Sequence, residues 1–312
     1  MSFFKLIFLG GFILSTMSLM AQDDDLSKLV DSATGPITND PVIATFKTTR
    51  LINVTTIEQV KRGELDFRIA HKFGDLAGNA GGASTFFGFD NVSDIRFSFD
   101  YGIMDRWQIG IGRSKGAEYF GQGQVFDLNT KFKLIQQRKN GFPLAISLHG
   151  GLTFTSKESN HATSSILNFD KTIAHRFNYF GQILLARKIN DRFSIIIAPT
   201  IVHRNLVFLG DNNTHFAIAA GARAKISKRV AVIADYYQVL NVSNFQKAIN
   251  HQMPIGLGLE IETGGHVFHA LFSTNTGLVE SQFLPYNTAK FTAGQVRLGF
   301  NISRIFTILK DK

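Results

Sequence analysis

The sequence predicts an all-β fold: an antiparallel transmembrane β-barrel of about 12 strands (roughly 10–14), preceded by an N-terminal extension. Three observations predict it. Segments of roughly ten residues alternate apolar and polar side chains, the period-two pattern of strands with one apolar and one polar face. The links between them alternate between short and long, as tight turns at one end and long loops at the other require. Hydrophobic residues make up 44% of the chain, 30 of them phenylalanine, yet only 18% of residues are charged. Beyond residue 21 no stretch is long enough for a transmembrane helix, the apolar run 193–202 being broken by Pro199. A lipid-facing strand wall gives that apolar surface a place.

The elements follow in order. Residues 1–21 read as a secretory signal peptide: Lys5, an apolar run over 6–20, and small Ala21 before an acidic 22–25. With no cysteine, the chain has neither a lipid-acceptor residue there nor a disulfide framework. Residues 22–62 form a leader, a possible plug or periplasmic segment, its first half polar with Gly35, Pro36 and Pro41. Over 42–62 the reading is a short helix or an extended segment inside the barrel or at its mouth, with an extra strand as the alternative. Thr55 and Glu58 have capping-box spacing, which predicts two helical turns over 55–61.

The barrel domain is 63–312. Its strands are expected at 64–73, 94–101, 106–114, 124–136, 144–155, 177–188, 193–203, 215–226, 230–238, 255–262, 266–274 and 294–306. In the last, Val296, Leu298, Phe300 and Ile302 share one face while Arg297, Asn301 and Ser303 share the other. The segment 193–203 is apolar on both faces, so its direction is not assigned. Short links fall at 102–105, 138–143, 189–192, 227–229 and 263–265. Between them lie longer ones, 74–93, 115–123, 156–176, 204–214, 239–254 and 275–293, read as external loops.

Several stretches carry a family resemblance: FKTTRLIN at 46–53, KRGELDFR at 61–68 with HKFG at 71–74, FDN at 89–91, FDYG at 99–102, GIGRS at 110–114 and GFNISR at 299–304. Together they resemble a family of Gram-negative outer-membrane β-barrels catalogued as a domain of unknown function. The resemblance implies a barrel in the outer membrane and brings no catalytic residues with it.

The chemistry on the polar faces is mostly charge. Eight acids (Glu64, Asp66, Asp94, Asp100, Asp127, Asp235, Glu260, Glu262) and eight bases (Arg68, Lys72, Arg96, Lys131, Lys133, Arg223, Lys225, Arg297) are expected to face the lumen. A wide selective pore shows a bias of one sign, whereas an even balance fits a lumen crossed by paired ions. Ser147 and His149 share one polar face and would be the nucleophile and base of a barrel lipid hydrolase, but lipid would have to reach that face. His266 and His269 fall on opposite faces and cannot chelate one metal together. No catalytic site, metal or cofactor is therefore expected.

The function expected is an outer-membrane barrel serving as a passive small-solute channel or surface binding protein. The alternative is a non-conducting structural or partner-docking barrel with an occluded lumen. The formal charge of +9 becomes +8 without Lys5, and much of it sits at the short-turn end. Export argues against nucleic acid as the partner. The partners expected are outer-membrane lipid, the barrel-assembly machinery through the C-terminal strand, and an acidic periplasmic protein at the basic rim.

Overall fold

Twelve antiparallel strands close into a barrel in which each strand pairs with its neighbours in sequence and the first pairs with the last. They are β1 Glu64–Asp75, β2 Val92–Met104, β3 Trp107–Lys115, β4 Gln124–Ile135, β5 Ala145–Thr155, β6 Phe177–Lys188, β7 Phe193–Arg204, β8 Thr214–Lys225, β9 Val230–Val239, β10 Ile255–Thr263, β11 His266–Ser273 and β12 Arg297–Thr307. This is a computed structural model that describes residues 39–116, 123–163 and 165–309; the expected signal peptide and residues 22–38 lie outside the described residues. The expected twelve strands are met by twelve, with ends displaced by a few residues.

Alternation explains the wall. Phe126, Leu128, Ile197, Ile201, Phe216, Leu257 and Phe272 stand on the outer surface and are exposed. Their sequence neighbours Asp127, Ala198, Thr200, Ala217, Gly256 and Leu271 point inward and are buried. A continuous band of exposed large apolar side chains is costly in water and matched by lipid tails. Closure leaves no unpaired strand edge in that band.

The inside is filled. Phe46, Leu51, Ile52, Val54 and Ile57 of the N-terminal extension pack against inward residues of β6 to β9, among them Leu184, Ile196, Ala198, Ala217, Ala219 and Ile233. This accounts for the two apolar faces of 193–203: Ile195, Ile197 and Ile201 face out, while Ile196, Ala198 and Val202 meet the extension. The expected helix over 55–61 does not form. Thr55 Oγ1 accepts from Arg50 Nη2 (3.3 Å), and Glu58 Oε1 accepts from Phe46 N (3.0 Å). The side chains that could cap a helix serve instead to tie one arm of the extension to the other.

Among the described residues two short α-helices lie in the loops: α1, Asn244–Ala248, and α2, Glu280–Tyr286. The loop carrying α2 departs from the expected external loop at 275–293, since every residue of α2 is buried and Phe283 stacks edge-on against the inward Tyr237 (5.2 Å).

Candidate functional site

The candidate site is the lumen and the two segments that close it. The extension enters clipped to the β4–β5 turn. Val42 N donates to Gln137 O (2.7 Å), Lys139 N to Asp40 O (3.0 Å), and Gln136 Nε2 to Val42 O. Ala44 takes a left-handed φ of 52° as the chain turns inward. The segment then folds as a hairpin, with Leu51 N bonded to Val54 O (2.9 Å) and Thr56 N to Thr49 O (2.9 Å). It leaves beside the β2–β3 turn, where Gly63 N donates to Gly102 O (2.9 Å). At Gly102 a Cβ would lie 2.0 Å from Lys61 O, so only glycine allows this approach.

The hairpin tip is held by one carboxylate. Asp235 Oδ2 accepts from the backbone N–H of Ile52 (3.1 Å), Asn53 (2.6 Å) and Val54 (2.9 Å), and Oδ1 accepts from Asn53 Nδ2 (3.1 Å). Around it are Leu51, Ile52 and Ile233, so this carboxylate is buried among apolar groups and satisfied by the tip. On the opposite wall the signs reverse. Lys131 Nζ donates to Thr56 O (3.0 Å) and Glu58 O, Lys72 Nζ to Asn53 Oδ1 (3.0 Å), and Arg68 to Arg50 O (3.1 Å) and Thr49 Oγ1 (3.0 Å). The wall thus supplies an acceptor for the tip's N–H groups and donors for the arms' carbonyls, satisfying backbone groups that the hairpin's own bonds leave open.

The second closing segment meets the first. Arg50 pairs with Glu280 (2.8 Å) and donates to Leu278 O (3.0 Å). Asn275 Nδ2 reaches Asn53 Oδ1 (3.0 Å), and Lys72 bridges Asn53 to Gly277 O (3.1 Å). Between the extension and β2 to β5 lies a cavity of about 30 Å³, room for a few waters at most. At the short-turn end the lumen opens into a vestibule of about 1190 Å³, lined by Lys47, Glu58, Asp66 and Glu262 among others.

The remaining expected lumen charges fall as follows. Arg96 pairs with Asp127 (2.7 Å), and Arg223 with Glu260 (2.8 Å) and Glu262 (3.2 Å). Asp66 lies 3.6 Å from Arg68, and Glu262 also pairs with Lys47 of the extension (2.9 Å). Asp94 is buried, while Asp100 and Arg297 are half-buried. Glu64 and Lys133 line the vestibule, and Lys225 lies at the rim. Part of the even balance of signs therefore comes from pairing within the wall and part from charges spent on the extension. Sequence reasoning missed the neutral partners Asn53, Asn275 and Gln108, and the role of Asp235, because backbone partners leave no trace in side-chain patterning.

Ser147 and His149 both face inward and are buried. His149 Nδ1 bonds Gln182 Oε1 (2.8 Å), and Ser147 Oγ has no partner among the described residues. His269 is buried beside Glu260 (3.3 Å), while His266 lies near Arg304 (3.3 Å). Among the described residues no group of three or more potential ligands could hold a metal ion.

Over the long-loop end, Arg204 is fully buried, paired with Asp211 (2.7 Å), donating to Asn212 O (3.0 Å) and bonded to the Tyr286 hydroxyl of α2. Burial alone would raise the Asp211 carboxyl, but the contacts of His215, Arg204 and Ser243 outweigh it and hold it well below the usual carboxylate range. A depressed carboxylate stabilises the fold above its unfolded pKa and loses that contribution only as pH falls through the folded value, so this cap should survive mild acid. Arg204→Ala leaves Asp211 buried without its ion partner, at a cost of about 3–5 kcal/mol. Hydrogen exchange should show faster opening of the loop carrying α2 in this variant, with the strands unchanged. Unchanged protection would remove the cap from the account.

A model for the "Membrane bound beta barrel domain (DUF5777)" matches residues 46–306. Among solved structures, the KdgM porin is 8% identical, with 78% of this chain and 99% of that one covered at a TM-score of 0.46. The NanC porin is 11% identical, with 78% and 100% covered at 0.45. The COG4313 outer membrane channel from Pseudomonas putida F1 is 10% identical, with 80% and 98% covered at 0.45. No curated protein matches. The family match takes in nearly all of the hairpin and of the wall, and the chain belongs to the membrane-bound β-barrel domain family DUF5777.

Proposed function

We propose that the chain is a plugged outer-membrane channel: a passive, non-enzymatic path for small solutes, shut here by the hairpin of residues 44–61 and by the loop carrying α2. The observation that carries this reading is the hold on the hairpin. Neither closing segment is a wall strand, and the backbone N–H groups of the hairpin tip are held by a single carboxylate, Asp235, so withdrawing the hairpin leaves all twelve strands paired. Export through the N-terminal signal, and assembly through β12 before it closes on β1, fit this reading. A second reading, a non-conducting docking barrel, is favoured by the roughly 30 Å³ left beside the hairpin and by the vestibule at the turn end.

A disulfide separates the two. Pro41 and Arg138 face each other as an antiparallel bridge flanked by the Val42–Gln137 and Lys139–Asp40 bonds. That is the close, non-hydrogen-bonded type of pair, with Cα atoms about 4.5 Å apart, within the range a disulfide spans. The chain has no other cysteine. In planar bilayers the reduced Pro41→Cys/Arg138→Cys variant should show intermittent openings, and oxidation should abolish them. Silence of both forms at every voltage would favour the docking barrel.

A further inference from the structure

We propose that the short-turn end of the barrel binds the phosphate headgroups of anionic phospholipids, with the cleft between the β6–β7 and β8–β9 turns as its seat. The proposal rests on the membrane-spanning barrel and not on whether the lumen conducts.

The charge at this end is one-sided. Arg106, Arg138, Lys139, Arg192, Lys228 and Arg229 are all exposed on the turns. The acids on these turns are fewer: Asp105 accepts from Arg62 N (3.1 Å), and Asp191, exposed on the cleft itself, lies 3.2 Å from Lys188. Large apolar side chains are interleaved with the cations. Met104, Phe142, Ile189 and Ile226 are 57%, 46%, 49% and 65% exposed in the same turns. Cations alone would suit any acidic solute. Cations alternating with exposed apolar groups, on the rim of a lipid-facing wall, match a surface that is anionic above and hydrocarbon below, which is a phospholipid leaflet.

One place on the rim is shaped for a headgroup. A cleft of about 390 Å³ is lined by Asp191, Arg192, Lys225, Ile226, Ser227 and Lys228. The Lys225 N to Arg192 O bond (2.7 Å) ties its two sides together. Ser227 Oγ accepts from Arg229 N (3.3 Å) and Val230 N (3.1 Å), which leaves its hydroxyl hydrogen to donate. Three cations and a hydroxyl donor around a concave space, outweighing the one carboxylate of Asp191, with Ile226 beside them for the start of an acyl chain, are the groups a phosphodiester needs. Phosphatidylcholine has the same phosphate, but its choline cation meets these like charges, so a net-anionic headgroup should be preferred.

The test uses the full chain in phosphatidylcholine bilayers with trace spin-labelled phosphatidylglycerol or phosphatidylcholine as probes. Phosphatidylglycerol should associate preferentially at low salt. The Arg192→Gln/Lys225→Gln/Lys228→Gln variant should lose at least about fivefold of that preference, the value of roughly one surface cation. Lys247→Gln, on a long loop at the other end, should keep it. Salt near 1 M, where the screening length is about 3 Å, should flatten it. Faster migration of unheated than of boiled samples shows that each variant is folded. Equal association of the two lipids, or a preference the triple variant retains, overturns the proposal. Polyglutamate binding by the wild type without lipid preference overturns it too, and assigns the rim to an acidic protein.

Discussion

Asp235→Ala should turn a mostly closed barrel into one that conducts steadily in planar bilayers. The carboxylate accepts three backbone N–H groups and one side-chain amide at the hairpin tip, in a half of the lumen otherwise lined by Leu51, Ile52 and Ile233. Alanine leaves those donors buried with no acceptor, at about 1–3 kcal/mol each. The sum is several kcal/mol against the closed state and nothing against the open one, in which the tip is hydrated. A shift of about 4 kcal/mol changes the closed-to-open ratio roughly a thousandfold. Asp235→Asn keeps an acceptor oxygen but turns an NH₂ toward the same donors, so it should fall between. Hydrogen exchange at residues 50–56 should accelerate in the same order. Unchanged conductance together with unchanged exchange in Asp235→Ala would show that the apolar packing of Leu51 and Val54, not the carboxylate, holds the hairpin.

The wall was legible in the sequence because lipid imposes a rule on every second residue. Where both sides of a strand meet apolar surroundings the rule fails, and β7 shows why: its outer face meets lipid and its inner face meets Leu51 and its neighbours. The hairpin was less legible. Beyond one short antiparallel bridge, its backbone bonds go to the side chains of Asp235, Lys131, Arg68 and Gln108, so no periodicity marks it. The capping-box spacing of Thr55 and Glu58 is real, but Glu58 is drawn to Phe46 N across the hairpin. The inward loop carried a signal that parity overrode. Leu278, Val279, Phe283 and Leu284 are too apolar for an exposed loop, and all four are buried against the lumen contents.

The sixteen charges show the limit from the other side. Alternation places them on inward faces, yet only geometry separates those that pair within the wall, such as Arg96 with Asp127, from those such as Lys131 and Asp235 that hold the hairpin. Selectivity cannot be argued from their sum. In the closed state most are neutralised in the wall or turned to the extension, while Glu64 and Lys133 line the vestibule and Lys225 the rim, so any solute preference of the lumen belongs to the state in which the hairpin has left.

Leu128→Arg should block assembly into the membrane, while Leu134→Arg on the same strand should be tolerated. Both side chains are on the outer face of β4 and exposed, at 51% and 41%. Leu128 sits near the middle of the strand, level with Ile111 of β3 and Leu152 of β5. Leu134 lies one residue from the end of β4, at the short-turn rim. An arginine at the bilayer midplane costs about 2–4 kcal/mol, and one near the interface about 0–1, because its guanidinium reaches the headgroups. The readout is the fraction of protein migrating faster unheated than boiled after folding into vesicles. Leu128→Arg should lose most of that form and Leu134→Arg almost none. Equal loss in both would mean that depth in lipid does not set the cost, and therefore that the outer face of β4 packs against protein, whereas equal tolerance would mean that this face meets water.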